Sequence, residues 1–131
     1  MGLTTDDQVA IQALAARYNH AIDSGDGAAF AGVFTEDGVL DAAGRLVEGR
    51  AALEQFAKEF AQRMRSPRHI ATNLVIEGNG HRATLRAYLQ MFALEGEPGS
   101  QQIAASGKYA DTLVKEAGTW RFERRVYTAD A

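Results

Sequence analysis

The sequence predicts an α+β domain, a curved antiparallel sheet with helices packed on one face and a pocket between the two. Three observations predict it. Apolar residues recur at helical spacing through the first half of the chain, whereas the second half alternates and is rich in β-branched residues. Gly78-Asn79-Gly80 and Glu116-Ala117-Gly118 punctuate that second half in the manner of hairpin turns. The 131 residues make one domain of ordinary size, and a chain of this length buries about two-thirds of its unfolded surface. Residues 1–131 therefore read as a single unit.

The elements follow in order. Thr5 is the expected N-cap of the first helix, with Asp6 and Asp7 in a first turn where the helix dipole favours anions. Ile11, Leu14, Tyr18 and Ile22 form its apolar face, and Gly25 and Gly27 end it. A short second helix over Ala28 to Phe34 carries Phe30, Val33 and Phe34. Glu36-Asp37-Gly38 signals a turn. Two short strands, Val39 to Asp41 and Leu46 to Glu48, are joined at Ala43-Gly44. A third helix from Arg50 to Arg65 carries the stripe Leu53, Phe56, Ala57, Phe60 and Met64 until Ser66-Pro67 breaks it. Four strands follow: Arg68 to Glu77, Arg82 to Leu94, Gln101 to Lys115 and Trp120 to Thr128. Helices first and a meander after them give the α+β class. Long strands with helices on one face curl, so a pocket is expected between the concave face and the helices.

Composition removes several functions. There is no cysteine, which excludes disulfides, thiolate metal sites and thiol nucleophiles. Net charge is −3, and the tight basic groups, Arg63–Arg65–Arg68 and Arg124–Arg125, are short, so no nucleic-acid partner is expected. Charge interrupts every apolar stretch before the ~20 residues a membrane span needs. Met1 to Asp7 holds two acids and no basic region, so no signal peptide is read there and a cytoplasmic location is expected. His20, His69 and His81 share no i, i+4 spacing, and no metal site is expected. A P-loop, a dinucleotide fingerprint and a Gly-x-Ser-x-Gly elbow are all missing, and no cofactor is expected.

Acid–base chemistry remains. His69 begins an alternating strand, which places His69, Ala71, Asn73 and Val75 on one face and Ile70, Thr72, Leu74 and Ile76 on the other. Histidine is the side chain best suited to take a proton near neutral pH, and a carboxylate on its second ring nitrogen would fix the tautomer. Asp23, at the end of the first helix, is the candidate partner; helix C-termini disfavour anions, so an aspartate held there needs another reason. Tyr18 lies on the buried face, either as a core aromatic or as a hydroxyl reaching a substrate oxygen. Tyr18 and Asp23 are about 140° apart around an ideal helix, so they converge only in a broad pocket or at a deformed helix end.

Four stretches carry a resemblance over nearly the whole chain: residues 16–26 (ARYNHAIDSGD), 34–40 (FTEDGVL), 68–73 (RHIATN) and 118–122 (GTWRF). The chain resembles the SnoaL-like members of the nuclear-transport-factor-2-like superfamily. That resemblance implies a cone-shaped sheet wrapped around the N-terminal helices. Scytalone dehydratase, bile-acid 7α-dehydratase and hexachlorocyclohexane dehydrochlorinase share a buried His–Asp dyad in this fold. Its aspartate falls at Asp23 and its histidine at His69. The bile-acid enzyme's tyrosine falls at Tyr18, where the dehydrochlorinase has a lysine. For the dehydrochlorinase's late arginine, Arg124 and Arg125 lie near the expected place.

The expected function is a cofactor-independent dehydratase, isomerase or cyclase acting on a small apolar cyclic or polycyclic molecule. His69, Asp23 and Tyr18 are its expected catalytic residues, and Asn73, Phe34, Phe56, Phe60 and Tyr88 its expected substrate contacts. The alternatives are a non-catalytic ligand-binding or assembly domain, and a subunit of a larger enzyme. A homodimer or homotrimer is expected through a dry sheet face of Ile70, Leu74, Ile76, Leu113 and Val114.

Overall fold

The computed structural model describes residues 2–131. Its elements run α1 (Thr5–Ser24), α2 (Gly27–Gly32), β1 (Phe34–Ala42), β2 (Arg45–Glu48), α3 (Arg50–Arg63), β3 (Arg68–Gly78), β4 (Arg82–Glu95), β5 (Ser100–Glu116) and β6 (Thr119–Ala129). The strands form one curved, unclosed sheet in the order β2-β1-β6-β5-β4-β3. The α+β class and the helices-then-meander order match the sequence reading. The sheet is mixed rather than wholly antiparallel, because β1 runs parallel to β6. That pairing joins the two halves of the chain, and a parallel pair needs the long connection that α3 and the meander supply.

The helices begin and end for local reasons. Thr4, not Thr5, caps α1: its Oγ1 accepts from the Asp7 N–H at 3.0 Å, and Asp7 Oδ2 accepts from the Thr4 N–H at 3.2 Å. Asp7 also ties α1 to the sheet, since its Oδ1 accepts from Trp120 Nε1 and from Lys115 Nζ, each at 3.0 Å. At the other end Gly25 adopts φ 71°, and a Cβ there would stand 2.6 Å from the Ala61 Cβ on α3. Only glycine allows that approach, which fixes the last turn of α1 beside α3. The second helix stops at Gly32, earlier than its sequence pattern, and Phe34 opens β1. Arginines hold this corner: Arg121 donates to the Gly32 carbonyl, and Arg50 Nη2 donates to the Phe34 carbonyl at 2.8 Å. Residues 36–38 are consequently an irregular stretch of β1 instead of a turn between elements.

Three bulges decide which side chains face the helices. In β3 the register shifts between Thr72 and Val75, where Asn73 takes φ 58°, a conformation asparagine tolerates. Leu74 and Ile76 therefore pack inward with His69 and Ala71, while Ile70 and Val75 face out. The expected faces are exchanged beyond the bulge, because one unpaired residue reverses every later side chain. In β5 the shift skips Ala104, which leaves Ala105, Tyr109, Asp111 and Leu113 on the inner side. In β6 it skips Glu123, so Trp120 and Phe122 are followed inward by Arg125 and Tyr127 rather than Arg124 and Val126.

The core fills the space between helices and sheet with Ile11, Leu14, Ile22, Phe30, Phe34, Leu53, Leu85, Leu113 and Phe122, all fully buried. The expected dry outer face is corrected accordingly: Leu74, Ile76 and Leu113 belong to the interior. Ile70, Val75, Tyr88 and Ile103 are the exposed large apolar residues of β3, β4 and β5. Among the described residues no helix is long and apolar enough to cross a membrane.

Candidate active site

The last turn of α1 and the first residues of β3 meet at one hydrogen-bonded pair. Asp23 Oδ2 accepts from the His69 backbone N–H at 2.9 Å, and Asp23 Oδ1 lies 2.6 Å from His69 Nδ1. Both side chains are largely shielded, His69 at 7% and Asp23 at 14% exposure. A carboxylate against Nδ1 places the ring proton there and leaves Nε2 as the basic nitrogen. The Phe60 ring, tilted and 5.5 Å from the imidazole centroid, packs against the ring so oriented.

His69 separates two spaces. On one side is a cavity of about 160 Å³ lined by Tyr18, Ile22, Leu40, Phe56, Phe60, Leu89, Met91, Ala105, Tyr109 and Tyr127. On the other side is a wider open groove of about 1130 Å³, lined by Asn19, His20, Asp23, Ser24, Met64, Arg68 and Phe92. The groove is larger, but its lining is much the more polar of the two. The apolar cavity is where a bound molecule loses its water and where a proton transfer is strengthened. Tyr127 reaches the cavity because Gly107 on β5 carries no side chain: a Cβ there would stand 2.7 Å from Tyr127 Cε1 and 2.2 Å from the Thr128 carbonyl oxygen.

A buried ion pair lies against the tyrosines of this cavity. Arg125 is fully buried, and its Nε donates to Asp111 Oδ1 at 3.1 Å. Its guanidinium carbon stands 3.4 Å from the Tyr109 ring centroid, 4.3 Å from that of Tyr18 and 4.7 Å from that of Phe122. Among the described residues, Arg125 Nη1 and Nη2 have no hydrogen-bond partner, and neither does Asp111 Oδ2. Burial pushes the Tyr18 and Tyr109 hydroxyls up from their usual range, and the Arg125 charge pulls against it. Both hydroxyls therefore stay protonated and able to donate. Burial raises Asp111 to about 6, again against Arg125.

The structure distributes the sequence-predicted residues unevenly. Tyr18, Phe56, Phe60 and His69 line the cavity. Asp23 stands behind His69, so it never has to share the cavity with Tyr18, and their angular separation on α1 is no obstacle. Phe34 does not line the cavity; it is fully buried against Tyr18, Phe30 and Phe122. Tyr88 points to the outer face of the sheet, 53% exposed, because alternation on β4 turns Ala87 and Leu89 inward. Asn73 is exposed on its bulge, away from the cavity. Tyr109 and Tyr127 line the cavity, and Arg125 and Asp111 lie against its tyrosines; sequence reasoning assigns no site role to Tyr109, Tyr127 or Asp111, and reaches Arg125 only through the resemblance, beside Arg124. Asp111 left a signal, an acid on the same strand face as Tyr109 and Leu113. The pattern of β6 does not choose Arg125 over Arg124, because alternation from Trp120 and Phe122 points to Arg124 until the bulge is known.

Comparison with known proteins agrees with this architecture. A protein of unknown function from Mycobacterium tuberculosis, Rv3472 in a D26N form, superposes with a TM-score of 0.92 at 36% identity, over 97% of this chain and 78% of that one. A cystatin-like-fold protein of unknown function from Nostoc punctiforme gives a TM-score of 0.88 at 29% identity, over 99% and 96% of the two chains. A protein from Catenulispora acidiphila in complex with S-DNPA gives 0.84 at 27% identity, over 97% and 96%. Among curated proteins none matches. The SnoaL-like domain matches residues 4–126, and with nearly the whole chain covered this protein belongs to the SnoaL-like domain family, in which cofactor-free isomerases, dehydratases and cyclases are common.

Proposed function

We propose that this protein is a cofactor-independent acid–base enzyme of the dehydratase, isomerase or cyclase type, acting on a small apolar cyclic carbonyl compound. The observation that carries the reading is the 2.6 Å contact between His69 Nδ1 and Asp23 Oδ1, made by a histidine that also forms part of the cavity wall. With Nδ1 held by Asp23, Nε2 removes a proton from the carbon next to the carbonyl. The electron pair of that C–H bond moves toward the carbonyl oxygen, where the Tyr18 hydroxyl donates a hydrogen bond to the growing charge. The proton on Nε2 then returns to a different carbon, which is isomerisation, or goes to a departing β-hydroxyl as that C–O bond breaks, which releases water. Asp23 stabilises the imidazolium between the two steps. The bound S-DNPA of the Catenulispora relative supports a small-molecule ligand in this fold.

The test is deuterium wash-in. Cyclohexanone in D2O is followed by NMR with wild-type protein, His69→Ala and Asp23→Asn. Wild type is expected to accelerate exchange of the α-hydrogens, His69→Ala to abolish the acceleration and Asp23→Asn to cut it by about a hundredfold or more. Wild-type exchange no faster than in His69→Ala would make the chain a binding module instead.

A further inference from the structure

We infer that Tyr18 and Tyr109, with the Arg125 guanidinium against both rings, form an anion seat in the cavity that holds the oxygen of a single-ring enolate or phenolate. This inference rests on the proposed function and adds to it a second hydrogen-bond donor, a positioning charge and a size class.

Arg125 is hard to explain by stability. A buried ion pair repays its desolvation only when its hydrogen bonds are complete. Here the pair makes a single contact, Nε to Asp111 Oδ1, and leaves two guanidinium nitrogens and one carboxylate oxygen without partners among the described residues. An apolar pair of similar volume would serve the core better. What the guanidinium does touch is aromatic, and its nearest ring, at 3.4 Å, belongs to Tyr109. A cation against a ring face is attracted to it and draws electron density from it. The attached hydroxyl then becomes a better donor without ionising.

The geometry places both hydroxyl-bearing rings at one site. Tyr18 and Tyr109 both line the cavity, and their ring centroids are 6.0 Å apart in an edge-on arrangement. The base stands on the same cavity wall. Arg125 does not line the cavity, so it acts through the rings as a positioning residue. Asp111 orients its guanidinium. A volume of about 160 Å³ lies well below the ~300 Å³ lower bound of common ligand pockets. It suits one six-membered ring with short substituents rather than a fused polycycle.

The probe is 4-nitrophenol, a single ring whose anion absorbs in the visible, with nitrobenzene as a neutral ligand of nearly the same shape. Wild type is expected to bind 4-nitrophenolate more tightly than the neutral phenol, so that the bound phenol ionises at lower pH than the free one. The preference should persist in His69→Ala. Tyr109→Phe should weaken the anion roughly tenfold or more while leaving nitrobenzene within about twofold. The paired variant Arg125→Met with Asp111→Leu should keep nitrobenzene binding and lose the preference for the anion. 2-Naphthol should bind at least tenfold more weakly than phenol. Equal binding of anion and neutral phenol, an unchanged anion affinity in Tyr109→Phe, or no binding of either probe would overturn the seat. Tight 2-naphthol binding would overturn the size class. Should the paired variant not fold, Tyr109→Phe alone decides the matter. The wash-in assay is separate, so loss of the seat leaves the His69 reading standing, and loss of that reading leaves the anion preference to be measured.

Discussion

Asp23 holds His69 at two points, the backbone N–H at 2.9 Å and the ring Nδ1 at 2.6 Å. The first contact pins the start of β3 to the end of α1, and the second sets the tautomer. The two roles come apart by substitution. Asp23→Asn keeps an oxygen for the backbone N–H but removes the charge that stabilises an imidazolium. It is expected to cut α-exchange by about a hundredfold or more with little change in Tm. Asp23→Ala loses both contacts and is expected to cost a further ~1–3 kcal/mol of stability from the N–H left without its acceptor. Chemical denaturation of both variants checks this; equal stability would deny the backbone contact any weight.

Asp111 makes stability depend on pH in an unusual direction. Its folded-state value of about 6 lies above the ordinary 3.8 because burial disfavours the carboxylate more than Arg125 favours it. An acid whose pKa rises on folding holds its proton more tightly when folded. Its ionisation therefore lowers stability as pH climbs from about 4 through 6, and the full cost stands above that range. From pH 4.5 to pH 7 the wild type is expected to lose about 2 kcal/mol relative to Asp111→Asn. Urea denaturation of both proteins at the two pH values measures the difference. A gap that does not change with pH would mean that the carboxylate is ionised throughout.

Much of this was legible in the sequence because it depends on local pattern. The helical stripe of Ile11, Leu14, Tyr18 and Ile22, the Gly25 stop and the Gly78-Asn79-Gly80 hairpin fixed the order of elements within a few residues. His69 and Asp23 could be singled out because a histidine amid small strand residues and an acid at a helix C-terminus both violate local expectation. Everything that depends on a bulge was hidden. Asn73 and Glu123 each shift a strand by one residue, and a one-residue shift exchanges faces. That is why alternation alone puts Val75 on the face of His69 and Leu74 and Ile76 on the other, and why it points to Arg124 rather than Arg125. The parallel pairing of β1 with β6 was equally invisible, since it joins segments more than eighty residues apart.

The two faces of the sheet give a contrast between Phe60 and Tyr88. Phe60 lines the cavity and packs against His69 at 5.5 Å, whereas Tyr88 stands on the outer face. Phe60→Ala is expected to lower α-exchange at least tenfold, because the imidazole loses a packing partner and the cavity opens to water. Tyr88→Ala should leave the rate within about twofold, as an exposed residue remote from the chemistry. Rates for the two variants measured side by side decide this. A large loss in Tyr88→Ala would move the functional surface to the outer face.

Ala105 offers a test of the cavity that leaves the dyad untouched. Alternation from Tyr109 through Gly107 turns it into the cavity, beside Met91, Tyr109 and Tyr127. Ala105→Leu adds three carbons to an apolar space of about 160 Å³. Filling an apolar cavity strengthens packing, so Tm is expected to hold or rise. The same carbons occupy the volume a ring would take, so nitrobenzene affinity and α-exchange should both fall at least tenfold. Thermal melting and ligand titration on one preparation give both readings. A fall in Tm would mean that the cavity has no spare volume, and retained affinity in a protein of normal Tm would mean that ligands bind elsewhere, with the open groove beside Asp23 the next place to look.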